Sequence, residues 1–228
     1  VMVDLAARRL GIDPIELRRR NLVPDDSYPR KALSGASFER VSLQASLEAL
    51  VTLMRYEPLR ADQTQLRARG IHRGIGVSVF VENSNHSSAT YGRGGAPIAT
   101  QDGASMRLTS SGGLVCAVSL TDSGQGVTTA MAQIAASAVG VSVERVQVVL
   151  GDTLHTPFGG ANWGSRGTGI AGEALWQAGL ALKEQLVQAA RALVSDAPEQ
   201  LDVQSGAIVA RDSGAQIVSL ADLAQAIY

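Results

Sequence analysis

Two glycine-rich stretches hold the residues best suited to chemistry. The first, Asp122-Ser123-Gly124-Gln125-Gly126, stands directly ahead of an apolar-periodic run that begins at Val127. A turn that feeds a helix in this way leaves the first N–H groups of the helix open at the positive end of its dipole, which makes an anion site. Glycines there let a ligand approach the backbone closely. A phosphate or a polar heterocycle would suit it, although a Gly-x-Gly turn can also be no more than a tight connection. It is not a Walker loop, because no Gly-Lys-Ser/Thr follows, and it is not a full Gly-x-Gly-x-x-Gly. The second stretch runs from Gly151-Asp152-Thr153 through Pro157-Phe158-Gly159-Gly160-Ala161-Asn162-Trp163-Gly164-Ser165-Arg166-Gly167-Thr168-Gly169. A loop of this length inside a packed domain is either functional or disordered, and Phe158 and Trp163 argue against disorder. Asn162, Ser165 and Thr168 add fixed polar groups. Arg166 suits a diphosphate, since a guanidinium matches phosphate oxygens bidentately; its plainer alternative is a surface salt bridge. Both loops are expected to open helices, and together they would clamp one elongated, polyanionic ligand.

The remaining chemistry-bearing residues carry less. His72, His86 and His155 are scattered without ligand spacing, so no metal site is expected from them. The single cysteine, Cys116, excludes a disulfide framework and a thiolate cage, and its place in an alternating run reads as a small buried hydrophobe. Trp163 could line a channel, whereas the helical spacing around Trp176 reads as core. With 20 Lys+Arg against 21 Asp+Glu the formal charge is -1, which argues against nucleic acid or an anionic membrane as a partner. A chain that is 45% hydrophobic and 18% charged has the balance of one that buries a core. Its apolar stretches fall well short of the roughly 20 residues of a membrane helix. A soluble protein in the cytoplasm is expected.

The elements that must position the loops follow from periodicity. Val1 to Leu10 reads as an amphipathic helix. Asp13-Pro14 caps and opens a second helix through Asn21, and Leu43, Leu47, Leu50 and Leu53 mark a third over 42–54. At Gly70 the period changes to two, so a strand is expected over 74–81. Residues 83–101 read as loop with an edge strand. Ala104–Thr109 and Leu114–Thr121 flank a turn-rich tetrapeptide as a hairpin. Val127 to Val139 forms a helix closed by Gly140, Val146–Leu150 a strand, Glu173–Val194 a long helix, and 207–220 a small hairpin. Ser219 to Tyr228 again has helical spacing. Helices and short strands mix without regular βαβ alternation, which predicts an α+β fold of mostly antiparallel strands rather than a doubly wound sheet. The expected division is a helical segment and loop over 1–69 and an α+β core over 70–228. Uncapped helical patterns at both termini suggest a piece cut from a longer chain.

Five elements in order now carry a resemblance: Gly74-Ile75-Gly76-Val77; Gly124-Gln125-Gly126 with its helix; Val146 to Thr153; Gly164-Ser165-Arg166-Gly167-Thr168; and Gly172. This order resembles the molybdopterin-binding large subunit of the molybdenum hydroxylases, the xanthine dehydrogenase and aldehyde oxidase family. The Gly-Asp-Thr and Gly-Ser-Arg elements are most similar to its bacterial branch, which includes aerobic carbon monoxide dehydrogenase large chains and heteroaromatic hydroxylases. The resemblance covers essentially the whole chain.

The resemblance implies that Gly124, Gln125 and Gly126, together with Asn162, Trp163, Gly164, Ser165, Arg166, Gly167 and Thr168, hold a molybdopterin cytosine dinucleotide carrying molybdenum. It also implies a parent oxidoreductase that takes oxygen from water to oxidise a small carbonyl, heteroaromatic or carbon monoxide-type substrate. Electrons would pass to iron–sulfur and FAD partner subunits in a hetero-oligomer. The family's metal-proximal Phe-Gly-Gly motif would precede Val1, and its glutamate base would follow Tyr228, so no catalytic residue is expected in this chain and the isolated piece is expected to be inactive. Glu173, at the start of a helix, is not that base. Two other readings stand beside this one: a cofactor-free structural or interaction domain with the same core, and a generic nucleotide-binding domain that uses Gly124–Gly126 as a phosphate loop.

Overall fold

The computed structural model describes residues 1–33, 35, 37–82, 84–85 and 99–228. The loop and edge strand expected over 83–101 therefore fall mostly outside the described residues. The chain divides into two compact units, Val1–Glu82 and Asn83–Tyr228.

In the first unit, α1 (Met2–Leu10) and α2 (Pro14–Asn21) are followed by a two-residue ribbon of β1 (Arg30–Lys31) and β2 (Ser37–Phe38), then α3 (Leu43–Leu53) and α4 (Tyr56–Ala68). The expected Asp13 cap forms: its Oδ1 accepts from Ile15 N at 2.8 Å, and Pro14 occupies the first turn. Helix α4 was not expected, because Pro58 and a largely polar run hide its period. Its buried residues are Tyr56 and Gln63.

The strand expected over 74–81 does not form. The backbone over 71–82 is in no ladder among the described residues, although burial keeps a period of two, with Ile75, Val77 and Val79 half-buried between exposed neighbours. These three pack on the core of Ile15, Leu47 and Tyr56. Side chains take the place of a partner strand: Gln63 Nε2 donates to Arg73 O at 2.7 Å, and the buried Arg18 donates to Val77 O at 2.5 Å.

The second unit carries the α+β architecture. Strands β3 (Ala104–Leu108) and β4 (Leu114–Val118) form the expected antiparallel hairpin, with Leu108 opposite Leu114. Helix α5 (Val127–Val139) then crosses over to β5 (Val146–Leu150), which pairs parallel to β4, Val118 lying opposite Leu150. Sequence periodicity had not revealed this single βαβ crossover. The long helix α6 (Gly172–Leu193) lies against α5 and β3. A second sheet of β6 (Leu201–Gln204), β7 (Ala207–Ala210) and β8 (Gln216–Ser219), antiparallel throughout, leads into α7 (Leu220–Ile227). β6 adds a third strand to the expected closing hairpin.

Close helix approach is enforced at Gly179 of α6, where a Cβ would lie 2.5 Å from Ala138 Cβ of α5. One core joins α5 and α6 to the second sheet through Val139, Leu186, Val203, Ile208 and Leu220. Another, built from Cys116, Val118, Leu120, Met131, Ala135 and Leu175, lies under the ends of the parallel strands. Among the described residues no helix is long and apolar enough to cross a membrane.

Candidate functional site

The parallel pair decides where a site can be. In a β–α–β unit the loops leaving the carboxyl ends of the strands frame a crevice at the amino end of the connecting helix. Here the loop after β4 is 119–126 and the loop after β5 begins at Gly151, so both glycine-rich stretches leave the same edge of the sheet.

In the first loop Gly124, Gln125 and Gly126 are all left-handed, with φ of 85°, 58° and 72°. Glycine adopts this conformation freely, but at Gln125 it is strained. Asp122 holds the bend: Oδ1 accepts from Gly124 N at 2.8 Å and Oδ2 from the Thr128 hydroxyl at 2.7 Å. The Thr128 hydroxyl first, and the Gly124 N–H second, hold its carboxyl below the usual carboxylate range. Gly126 is the residue before α5 and caps it with no side chain. Val127 N donates to Gly124 O at 3.3 Å, so it is the next N–H groups, those of Thr128 and Thr129, that remain with the positive end of the dipole for an external acceptor.

The second loop is tied to the first by Asn162, whose Nδ2 donates to Ser123 Oγ at 2.7 Å. Ala161, Gly164 and Ser165 are left-handed as well. Residues Gly167–Ala171 then make a π-type turn, a feature frequent at functional sites, before α6 begins. Gln125, Asn162, Ser165, Gly167 and Thr168 line one cavity of about 180 Å³, with an apolar floor of Leu120, Val127, Ala130 and Met131. Larger hollows exist, such as one of about 550 Å³ at the carboxyl end of α5 near Gly140 and Val203. Among the described residues it is the smaller cavity that combines an uncapped helix end with polar groups from both loops.

Residues 49–228 match the molybdopterin cofactor-binding domain family. The chain belongs to that family. It is 30% identical over its whole length to the nicotine 6-hydroxylase large subunit of Paenarthrobacter nicotinovorans. It is 33% identical over 98% of its length to the putative xanthine dehydrogenase molybdenum-binding subunit of Escherichia coli strain K12. Among solved structures, quinoline 2-oxidoreductase from Pseudomonas putida 86 superposes on 99% of the chain with a TM-score of 0.77 at 32% identity. The chain spans 28% of each of the two relatives and 29% of the solved chain.

Not every predicted site residue reaches the cavity. Gly124 and Gly126 shape the first loop, and Gly164 the second, through backbone conformation. Arg166 corrects the sequence reading: it is neither a diphosphate clamp nor a surface salt bridge. Its side chain is fully buried, with Nη2 2.7 Å from Asp102 Oδ2 and donating to Thr100 O, and Nη1 donating to Ala161 O at 2.9 Å. A guanidinium so enclosed shapes the loop from within. Trp163 turns the same way, its ring 5.4 Å from the Arg166 guanidinium and its Nε1 donating to Gly160 O at 2.7 Å. Glu173 is exposed and accepts from Gln177 Nε2 within its own helix. His155 is held by Asp152 at 2.7 Å, and His86 lies outside the described residues.

Sequence reasoning missed Asp102, Ser119 and Thr128, and it placed Ser123 in the first loop without a role of its own. Asp122 two residues before a glycine is a readable turn signal. Asp102 gives none, because its partners are distant in sequence.

The donor set fits a molybdopterin-type cofactor. The open helix end and hydroxyls suit phosphate, the amides of Gln125 and Asn162 suit a heterocycle, and the apolar floor suits a flat ring.

Proposed function

We propose that the cleft between Gly124–Gly126 and Asn162–Thr168 binds part of a molybdopterin cofactor in its cytosine dinucleotide form. The chain then serves as cofactor-holding structure in the large subunit of a molybdenum hydroxylase. The observation that carries this reading is the convergence of Gln125 and Ser165 on one cavity beside the uncapped end of α5. When bound, the cofactor supplies the redox chemistry by which a small carbonyl, heteroaromatic or carbon monoxide-type substrate is oxidised with oxygen from water. What the chain contributes is binding and orientation. The open N–H groups at the start of α5 attract negative charge, while Asn162, Ser165 and Thr168 donate hydrogen bonds. Leu120, Val127 and Met131 keep water from the underside, where those bonds gain strength from the lower dielectric. No residue of the chain is assigned as acid or base.

The relatives' names as large or molybdenum-binding subunits support a parent that assembles with other subunits. Iron–sulfur and FAD subunits are the partners this reading assigns. The test is molybdenum and released cytidine nucleotide, measured per subunit in the full-length parent and in its Gln125→Ala and Ser165→Ala variants. Several-fold lower contents in both variants are expected. A wild-type parent with neither component would establish the cofactor-free structural reading instead, and full retention in both variants would refute the assigned cleft.

A further inference from the structure

The network beneath the second loop has a centre that neither glycine-rich motif contains. The carboxylate side chain of Asp102 is fully buried, and each of its interactions reaches a different part of the fold. Its Oδ1 accepts from Ser119 Oγ at 2.8 Å, one residue beyond β4, and from Gly160 N at 3.2 Å within the second loop. Ser119 Oγ in turn accepts from Gly103 N at 2.9 Å. Oδ2 faces Arg166 Nη2 at 2.7 Å. The loop is wound around that guanidinium, with Ala161 O on one side and the Trp163 ring on another. There is no slack at the crossing. A Cβ on Gly159 would sit 2.2 Å from Ser119 Oγ, and one on Gly160 would sit 2.6 Å from Arg166 Nη1.

A buried ion pair contributes little net stability, because desolvation offsets most of the attraction, yet removing one partner strands a charge. What such a pair does securely is fix geometry. Arg166 follows Ser165, and Asn162 follows Ala161, whose carbonyl Arg166 holds, so the position of the guanidinium sets where both cavity-lining side chains stand. We infer that Asp102 is a positioning residue for cofactor binding: by holding Arg166 inside the fold it aims Asn162 and Ser165 at the cleft. This inference rests on the cofactor reading of that cleft.

The experiment uses the full-length parent in its assembled form. Asp102→Asn is compared with Leu186→Ala, a core deletion in the cluster beneath the second sheet. For each, the melting temperature is measured on cofactor-stripped protein. Loss of molybdenum and cytidine nucleotide is then timed at the same interval below that temperature. Asp102→Asn is expected to lose both at least tenfold faster than Leu186→Ala. Equal loss rates would mean that Asp102 acts through stability alone and would overturn the inference. Should Asp102→Asn fail to accumulate, Asp102→Glu, which keeps the charge and displaces the carboxylate by one methylene, is read with the same two outcomes. Gln125→Ala run in parallel separates the claims. Unchanged retention in it refutes the cleft reading, and this inference with it. Lowered retention in it together with control-like behaviour of the Asp102 variant refutes the inference alone.

Discussion

Gln125 lies between two glycines in a left-handed turn that glycine alone would form without strain, and replacing it separates fold from function. At φ 58° an L-residue costs about 1–2 kcal/mol relative to a residue without Cβ. Gln125→Gly removes that cost but adds about 0.5–1 kcal/mol of chain entropy in the unfolded state. With the middle of each range, the variant is therefore expected to be more stable than wild type by about 0.75 kcal/mol, between extremes of roughly 0 and 1.5 kcal/mol. For a chain of 228 residues, where 1 kcal/mol moves the midpoint by about 2–4 °C, the middle value is a rise of roughly 1.5–3 °C. Gln125→Ala removes the same polar side chain and keeps the Cβ, so it should melt close to wild type and below Gln125→Gly. Calorimetry on cofactor-free protein reads the stability, and nucleotide release from the full-length parent reads binding. The expected pattern is a more stable Gln125→Gly that nevertheless holds less cofactor. A Gln125→Gly protein that melts at or below Gln125→Ala would show that the turn stores no strain, and the argument for a functional reason behind this glutamine would fail.

Three further outcomes follow from the same geometry. Gly159→Ala should destabilise by about 1–3 kcal/mol, the range for overpacking, because its Cβ would meet Ser119 and Asp102 at under 3 Å; a melting midpoint equal to wild type would refute the close crossing. Burial pushes the Cys116 thiol up to about 11, so it should resist a thiol reagent at pH 8 until the fold is denatured. Its share of stability should be complete below the ordinary thiol pKa of about 8.5 and decline as pH rises from there toward 11; fast native labelling would contradict its burial. The depressed carboxyl of Asp122 should keep the first loop intact above about pH 4 and release it only in stronger acid, where the carboxylate is protonated, and Asp122→Ala should abolish that acid transition in cofactor retention.

Local signals read well from the sequence. The β3–β4 hairpin, α5 with Gly140 at its end, and α6 each announce themselves within a dozen residues, because their periods and turn residues are contiguous. The glycine loops were legible for the same reason, and their convergence followed from where they stand relative to helices. What stayed hidden depends on distance along the chain. The parallel pairing of β4 with β5 leaves no mark in either strand. The extended run 74–81 has a strand's alternation, but the carbonyl of Val77 within it and that of Arg73 just before it are taken by Arg18 and Gln63. Arg166 looked like a surface phosphate ligand because the residue that buries it, Asp102, stands 64 positions earlier in an unremarkable loop.

Two left-handed loops at the carboxyl ends of β4 and β5 are proposed to close on one cofactor. An experimental structure of the cofactor-loaded parent tests this most directly. Continuous ligand density in contact with both the Gly124–Gly126 backbone and Ser165 is expected. Cofactor density that leaves this cavity to solvent and lies against neither loop would contradict it.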